Sequence, residues 1–256
     1  MPALKTRIAV VPDQFASSIL GWPVWELQQL GSEVEDRESL RHQLGGGRAL
    51  LYAKVPVDDV AASNLLARNG WQLVDTSVQL EKNFSLPYDF RRSKVRFRLA
   101  LPSDEEPVAT IARTSFSCSR WHRDALIESA RADALKEAWV RNFWRGQRGT
   151  HMVVAEIDGA LVGFHQIVKQ ESVLLVDLIA VDAQYRGRDI GTGLLAYAER
   201  HCGSLAKMLV GTQLSNRASL KMYQRRGFHI VRASHTWHYH LPSGTSAGMV
   251  ETDAHW

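Results

Sequence analysis

Residues 185–195 read YRGRDIGTGLL. The run LIAVD lies just upstream at 178–182, and the sequence turns apolar and periodic from Ile190. The order is strand, glycine turn, helix. Glycines in such a turn let the backbone come close to a ligand and aim several N–H groups at one spot. The helix N-terminus adds about half a positive charge there. The stretch therefore predicts an anion cradle around Gly187, Gly191 and Gly193. Its spacing fails the dinucleotide pattern G-x-G-x-x-G, and a P-loop lysine is missing. Asp189 sits in the middle of the turn, so an acid stands where an anion is expected.

The neighbouring segments extend the same order. Leu135, Trp139 and Phe143 recur at helical spacing over 135–144. MVVAEIDGALVGFHQIV (152–168) is two apolar runs around Asp158-Gly159. Asp-Gly between strand-like runs predicts a hairpin, because both turn residues need positive φ. SVLLVDLIAVD (172–182) reads as a third strand. The helix after the glycine turn spans 190–201, with Ile190, Leu194, Leu195, Ala198 and Cys202 on its apolar face. KMLVGTQL (207–214) is a strand, 216–226 a short helix, and FHIVRASHTWHYHL (228–241) a last strand or hairpin. Upstream, VRFRLALPSDEEPVATIARTSF (95–116) reads strand, turn, helix. Pro102, Ser103 and Asp104 supply turn and N-cap, and Val108, Ile111 and Ala112 the apolar positions. The second part of the chain thus reads β-α-α-β-β-β-α-β-α-β.

The first part carries an echo of the last. ASNLLARNGWQLVDTSVQLEK (62–82) resembles SLKMYQRRGFHIVRASHTWHY (219–239) in layout: helix, Gly-aromatic, strand. Matching Gly70 to Gly227 sets Leu66 against Tyr223. The echo is either a degenerate copy of half the fold or a coincidence of a common joint. Three domains are expected: an α/β region over 1–90, a larger α/β domain over 95–242, and a flexible tail from Ser243, which is small, polar and aperiodic.

Bulk composition excludes several classes. The chain has 256 residues, 45% hydrophobic and 23% charged, which is ordinary globular composition. No apolar run is long enough to span a bilayer, and the start is polar too early for a secretion signal. Cys118 and Cys202 show no metal or redox spacing, so a cytoplasmic setting without membrane insertion is expected. A net charge of +4 suits an anionic ligand. Its scattered basic residues disfavour nucleic acid. His235, His238 and His240 split between strand faces without a carboxylate at fitting spacing, so no metal site is expected.

The glycine stretch resembles the acyl-CoA-binding motif of the GNAT acetyltransferase superfamily, Gln/Arg-x-x-Gly-x-Gly/Ala, here Arg186-Gly187-Arg188-Asp189-Ile190-Gly191. NRASLKMYQRRGF (216–228) resembles the family's downstream Asn…Tyr-x-x-x-Gly-Phe motif. The resemblance implies a GNAT fold: a mixed, twisted sheet with a V-shaped splay between central parallel strands, LIAVD beside MLVGT. It implies acetyl-CoA as co-substrate, bound by Ile179, Val181, Arg186, Gly187, Arg188, Asp189, Ile190, Gly191, Thr192, Gly193 and Asn216. Asp189 departs from the family's usual glycine. Asp tolerates positive φ better than most residues, Arg186 and Arg188 offset its charge, and its side chain is expected to point to solvent.

By the same resemblance Tyr223 is the general acid that protonates the departing thiolate. A phenol suits this, since its pKa lies above that of a thiol. Two carboxylates are candidates for the base. Asp177 lies on the central strand, where an ion pair with a neighbouring cation is the alternative reading. Asp75 follows GWQLV. A water chain could replace either.

The upstream segments SILGWPVWEL (18–27), NGWQLVDTSVQLEK (69–82) and SFSCSRWHRD (115–124) resemble the TDP-fucosamine acetyltransferase group, which acts on nucleotide-linked amino sugars. That likeness implies a nucleotide amino sugar as partner, with Ser119, Arg120, Trp121 and His122 on the acceptor side, and allows a homodimer. Arg can pair with a diphosphate and Trp can stack on a sugar or base. Two further readings stay open: a GNAT acting on a protein N-terminus, polyamine or antibiotic, and a non-catalytic CoA-binding module.

Overall fold

The computed structural model describes residues 9–29, 40–42, 44–83, 88–90, 94–202 and 206–242. The tail from Ser243 lies outside them. The chain forms two compact units that no single cut separates. The smaller holds the N-terminal part to Lys54, Val60–Leu73 and the chain from Trp237; the larger holds Val55–Asp59 and Val74–Thr236.

In the smaller unit, β1 (Ala9–Pro12) leads into α1 (Gln14–Leu20) and then β2 (Val24–Gln29). Asp13 caps α1 by accepting the Ala16 N–H at 2.9 Å, and Gly21 at φ 80° ends it. β1 and β2 pair antiparallel. β3 (Ala49–Pro56) adds in parallel to β2, with Leu50 and Leu51 fully buried. α2 (Val60–Arg68) follows and buries Leu66.

The larger unit begins on β4 (Gln72–Lys82) and β5 (Arg96–Leu99). A 3-10 turn over Pro102–Asp104 opens α3 (Glu105–Ser115). Asp104 occupies the expected N-cap position without capping. Its carboxylate instead accepts from the Leu101 N–H at 2.7 Å and from Arg98. Next come α4 (Arg120–Arg123), α5 (Ser129–Trp144), β6 (His151–Ile157), β7 (Ala160–Gln170) and β8 (Val173–Val181). Asp158 at φ 50° and Gly159 at φ 81° make the expected hairpin. The rest is α6 (Ile190–His201), β9 (Lys207–Gln213), α7 (Arg217–Arg225) and β10 (His229–Leu241). The short α4 is an element beyond the expected order.

Antiparallel pairs β5–β6, β6–β7, β7–β8 and β4–β9 surround one parallel pair, β8–β9. Alternate residues of the strands feed two cores. Val153, Ala155, Val162 and Val176 pack with Leu194 and Ala198 of α6. Met152, Val154 and Phe164 pack with Val108 and Ala112 of α3 and Val140 of α5. The sheet is therefore covered on both faces.

Two irregularities build the site. In β7–β8 the register shifts between Gln166↔Leu178 and Ile167↔Val176, leaving Asp177 as the extra residue of a bulge. The bulge inverts the alternation: Leu174 and Val176 lie in the α6-side core, whereas Leu178 and Ala180 lie in the core beside α3 and α5. Beside it, the parallel pairing of β8 with β9 ends at Val176↔Val210, although the strands continue to Val181 and Gln213. That divergence is the V-shaped splay.

The echoed joints share one local geometry. The Trp71 N–H donates to Leu66 O at 3.1 Å and the Phe228 N–H donates to Tyr223 O at 3.1 Å, each around a glycine at positive φ.

Candidate active site

Gly187 at φ 77° and Asp189 at φ 60° both adopt the left-handed conformation, and the helix starts at the next residue. The expected torsion at Asp189 is present, and its side chain is exposed. The first intrahelical bond is Gly193 N–H to Asp189 O at 3.0 Å. The N–H groups of Ile190, Gly191 and Thr192 thus belong to the open first turn. Gly191 and Gly193 serve packing. A Cβ at Gly191 would stand 2.6 Å from Met222 Sδ, and one at Gly193 would overlap the Phe97 ring. Arg186 braces the turn, donating from Nε to Val181 O at 3.1 Å and from Nη2 to Ser115 O at 3.2 Å.

A cavity of about 940 Å³ opens where β8 and β9 diverge. Of the expected cofactor residues, Ile179, Val181, Arg186, Gly187, Asp189, Ile190, Gly191, Thr192 and Asn216 line it; Arg188 and Gly193 do not. Arg188 lies over the Tyr185 ring, its Cζ 5.2 Å from the centroid. Asn216 also caps α7, accepting the Ser219 N–H at 3.2 Å. Lys221 and Arg225, one helical turn apart on α7, add cations to the wall. They were not singled out from sequence, although their i,i+4 spacing on the helix that Asn216 caps was the available signal. Backbone donors, a helix N-terminus and two cations form a wall suited to phosphates.

The titratable candidates differ in setting. Asp177 is held on several sides. Arg148 Nε donates to it at 2.8 Å, with a second short contact from Nη2, and Trp139 Nε1 and Gln166 Nε2 each donate at 2.9 Å. This is the ion-pair reading of that residue. Asp75 is buried, and burial raises its carboxyl pKa against the Thr76 N–H and the charge of Arg123. Gln213, whose side chain bonds to Asp75, lines the cavity, whereas Asp75 does not. Tyr223 is buried beside Phe228, their ring centroids 5.5 Å apart, and burial drives its phenol well above the ordinary value. Its neighbour Met222 lines the cavity, and Tyr223 itself is not among the lining residues.

The acceptor-side segment folds as the one-turn helix α4. Ser119 lines the cavity. Trp121 is buried under Arg120, whose Cζ lies 4.2 Å from the ring centroid. His122 is half-buried and bonded on both nitrogens, Nδ1 to Ser119 Oγ at 2.6 Å and Nε2 to Asp133 Oδ1 at 3.0 Å. Of Ser119, Arg120, Trp121 and His122, only Ser119 reaches the cavity wall.

Residues 106–228, which hold both the splay and the cradle, match the Acetyltransferase (GNAT) family. They are a GNAT acetyltransferase domain. The co-substrate of such a domain is acetyl-CoA, and its chemistry is N-acetyl transfer. The chain is 26% identical over 201 residues to the spore coat polysaccharide biosynthesis protein SpsD of Bacillus subtilis, covering 77% of this chain and 68% of that protein. It is 28% identical over 188 residues to mycothiol acetyltransferase of Mycolicibacterium gilvum, covering 67% of this chain and 58% of that protein. In fold it is similar to a tandem GNAT protein from the clavulanic acid biosynthesis pathway, with TM-score 0.56 at 14% identity over 88% of this chain and 76% of that one. The described part of the GNAT domain and its surroundings contain no helix long and apolar enough to cross a membrane.

Proposed function

We propose that the chain transfers the acetyl group of acetyl-CoA to the amine of a nucleotide-linked amino sugar of the dTDP-4-amino-4,6-dideoxyhexose type. The observation that carries the transfer is the splay of β8 from β9 beside the N-terminus of α6. Beyond Val176 the β9-facing edge of β8 no longer pairs with β9, so its backbone polar groups are available to the pantetheine arm and thioester carbonyl near Ile179 and Val181. The pyrophosphate lies on the first turn of α6, with Lys221 and Arg225 neutralising its charge. Tyr223 protonates the leaving thiolate. The role rests on the Asn…Tyr-x-x-x-Gly-Phe motif; burial raises the phenol pKa, so the hydroxyl holds its proton at rest. Asp189 leaves the cradle intact, because the ligands there are backbone amides.

Support for a sugar acceptor is the likeness to SpsD, named for polysaccharide biosynthesis. The likeness to mycothiol acetyltransferase favours the second reading, a small-molecule amine of another kind. A cytoplasmic protein, with homodimer formation, completes the proposal.

The test is a thermal-shift screen with CoA and acetyl-CoA, each with and without dTDP- and UDP-linked amino sugars, followed by thiol release from acetyl-CoA. A ligand bound only to the native state stabilises by RT ln(1 + [L]/Kd). Shifts with CoA and with one amino sugar, and thiol release with that sugar, are expected. A CoA shift without any sugar response rejects the acceptor; no CoA shift rejects the transferase reading and favours a non-catalytic module.

A further inference from the structure

We propose that Ser119, His122 and Asp133 form a proton relay that takes the proton from the acceptor amine, with Ser119 as the group that meets the substrate. The inference deepens the transferase reading above and rests on it. An amine that arrives as ammonium has no lone pair to attack with, so the site needs a base that opens on the cavity. Neither carboxylate considered for that task does so. Asp177 is engaged by Arg148, Trp139 and Gln166, and Asp75 stands behind Gln213. The Ser119 side chain belongs to a residue on the cavity wall, and its hydroxyl lies 2.6 Å from His122 Nδ1.

The direction of the relay follows from the donors. Asp133 as carboxylate only accepts, so the 3.0 Å contact to His122 Nε2 requires a hydrogen on Nε2. With Nε2 carrying the hydrogen, the relay takes the Nδ1 lone pair as acceptor of the Ser119 O–H. The local fold serves this pairing. Ser119 is the N-cap of α4, yet its side chain caps no backbone N–H; three residues on, His122 takes the hydroxyl instead. The His122 N–H donates to Ser119 O at 2.9 Å, fixing the i,i+3 geometry. Asp133 projects from α5 with its side chain 36% exposed, against 7% for His122, which gives the relay an outlet to water.

In the reaction, one ammonium proton passes to Ser119 Oγ as the Ser119 hydroxyl proton passes to His122 Nδ1. The imidazolium that results is balanced by Asp133 and later sheds its proton to solvent. The freed nitrogen attacks the thioester carbonyl; the C–N bond forms and the C–S bond breaks. The thiolate leaves and takes up the second proton lost by nitrogen. Ser119 is the catalytic group; His122 and Asp133 act through it.

Two measurements test this. The first needs no acceptor. Nitrogen-15 NMR of histidine-labelled protein should show His122 protonated at Nε2 and bare at Nδ1, with that preference lost in Asp133→Asn. A proton on Nδ1 overturns the relay whatever the acceptor is. The second uses the amine that releases thiol in the screen above. Ser119→Ala and His122→Gln should each lower kcat about 10²-fold or more at unchanged KM for acetyl-CoA, and free imidazole should restore His122→Gly. Unchanged kcat in folded His122→Gln, or a lowered kcat that imidazole fails to restore in folded His122→Gly, overturns it. Failure of every amino sugar in the screen would reject the acceptor and leave the NMR result to decide the relay.

Discussion

Asp189 holds φ 60° with an exposed carboxylate at the mouth of the cradle. A left-handed torsion costs an ordinary L-residue about 1–2 kcal/mol, and Asp less than most. Asp189→Gly removes that cost and a negative charge together, so CoA affinity should stay or improve in titration calorimetry. A tenfold loss would mean that the carboxylate itself engages the ligand. Tyr223 is the second decisive side chain. Tyr223→Phe keeps the ring against Phe228 and deletes only the hydroxyl. It should lower kcat about 10²–10⁴-fold, the range for a lost general acid, with CoA binding kept. Full activity would remove Tyr223 from the chemistry. Both residues were legible in the sequence through short motifs. Asp133 was not, because it lies eleven positions past His122 and only the packing of α4 beside α5 brings the two together.

The helix α6 was fully legible. Its bounds match the expected 190–201, and Ile190, Leu194, Leu195, Ala198 and Cys202 are all buried. Its glycines were read too narrowly. Gly191 and Gly193 admit Met222 and Phe97 against the helix, whichever ligand binds. A methyl group at Gly193 would collide with the Phe97 ring, and overpacking of this kind costs about 1–3 kcal/mol. Gly193→Ala should lower the urea midpoint accordingly, with Phe97→Leu in the same chain returning part of the loss. An unchanged midpoint would show that Phe97 moves freely. The bulge in β8 escaped the sequence for a physical reason. Leu174, Val176, Leu178 and Ala180 alternate as a regular strand would, and nothing in that pattern marks Asp177 as the residue where the faces exchange.

Buried titratable groups set how the stability of the larger unit responds to pH. His165 on β7 is fully buried, and burial pulls its pKa down to about 4 from an ordinary 6.5. The folded state therefore favours the neutral ring. Its contribution is complete above pH 6.5 and is lost as pH falls toward 4, by up to about 3 kcal/mol. Asp75, with its pKa raised by burial, acts in the opposite sense: its folded form prefers the proton, so its share is lost as pH rises. The difference between wild type and His165→Gln isolates the histidine. Denaturant titrations at pH 4 to 7 should show wild type losing stability more steeply on acidification; parallel curves would mean that the ring takes a proton in the folded state. A second buried group, Glu199 of α6, bridges Lys82 of β4 and Arg226, the residue after α7. Removal of one partner from such a network leaves a buried charge unpaired and is strongly destabilising.

From 95 to 242 the order of strands and helices, the short α4 apart, was readable in advance, along with the hairpin at Asp158-Gly159, the left-handed turn at Asp189 and the GNAT motifs. Each is encoded locally, by side-chain period, by residues that tolerate positive φ, or by short spacings. Three features came only with tertiary packing: the point where β8 leaves β9, the clamp of Arg148 and Trp139 on Asp177, and the bond from His122 to Asp133. They join segments distant in the chain, and no local pattern carries the register or the burial that brings such segments together.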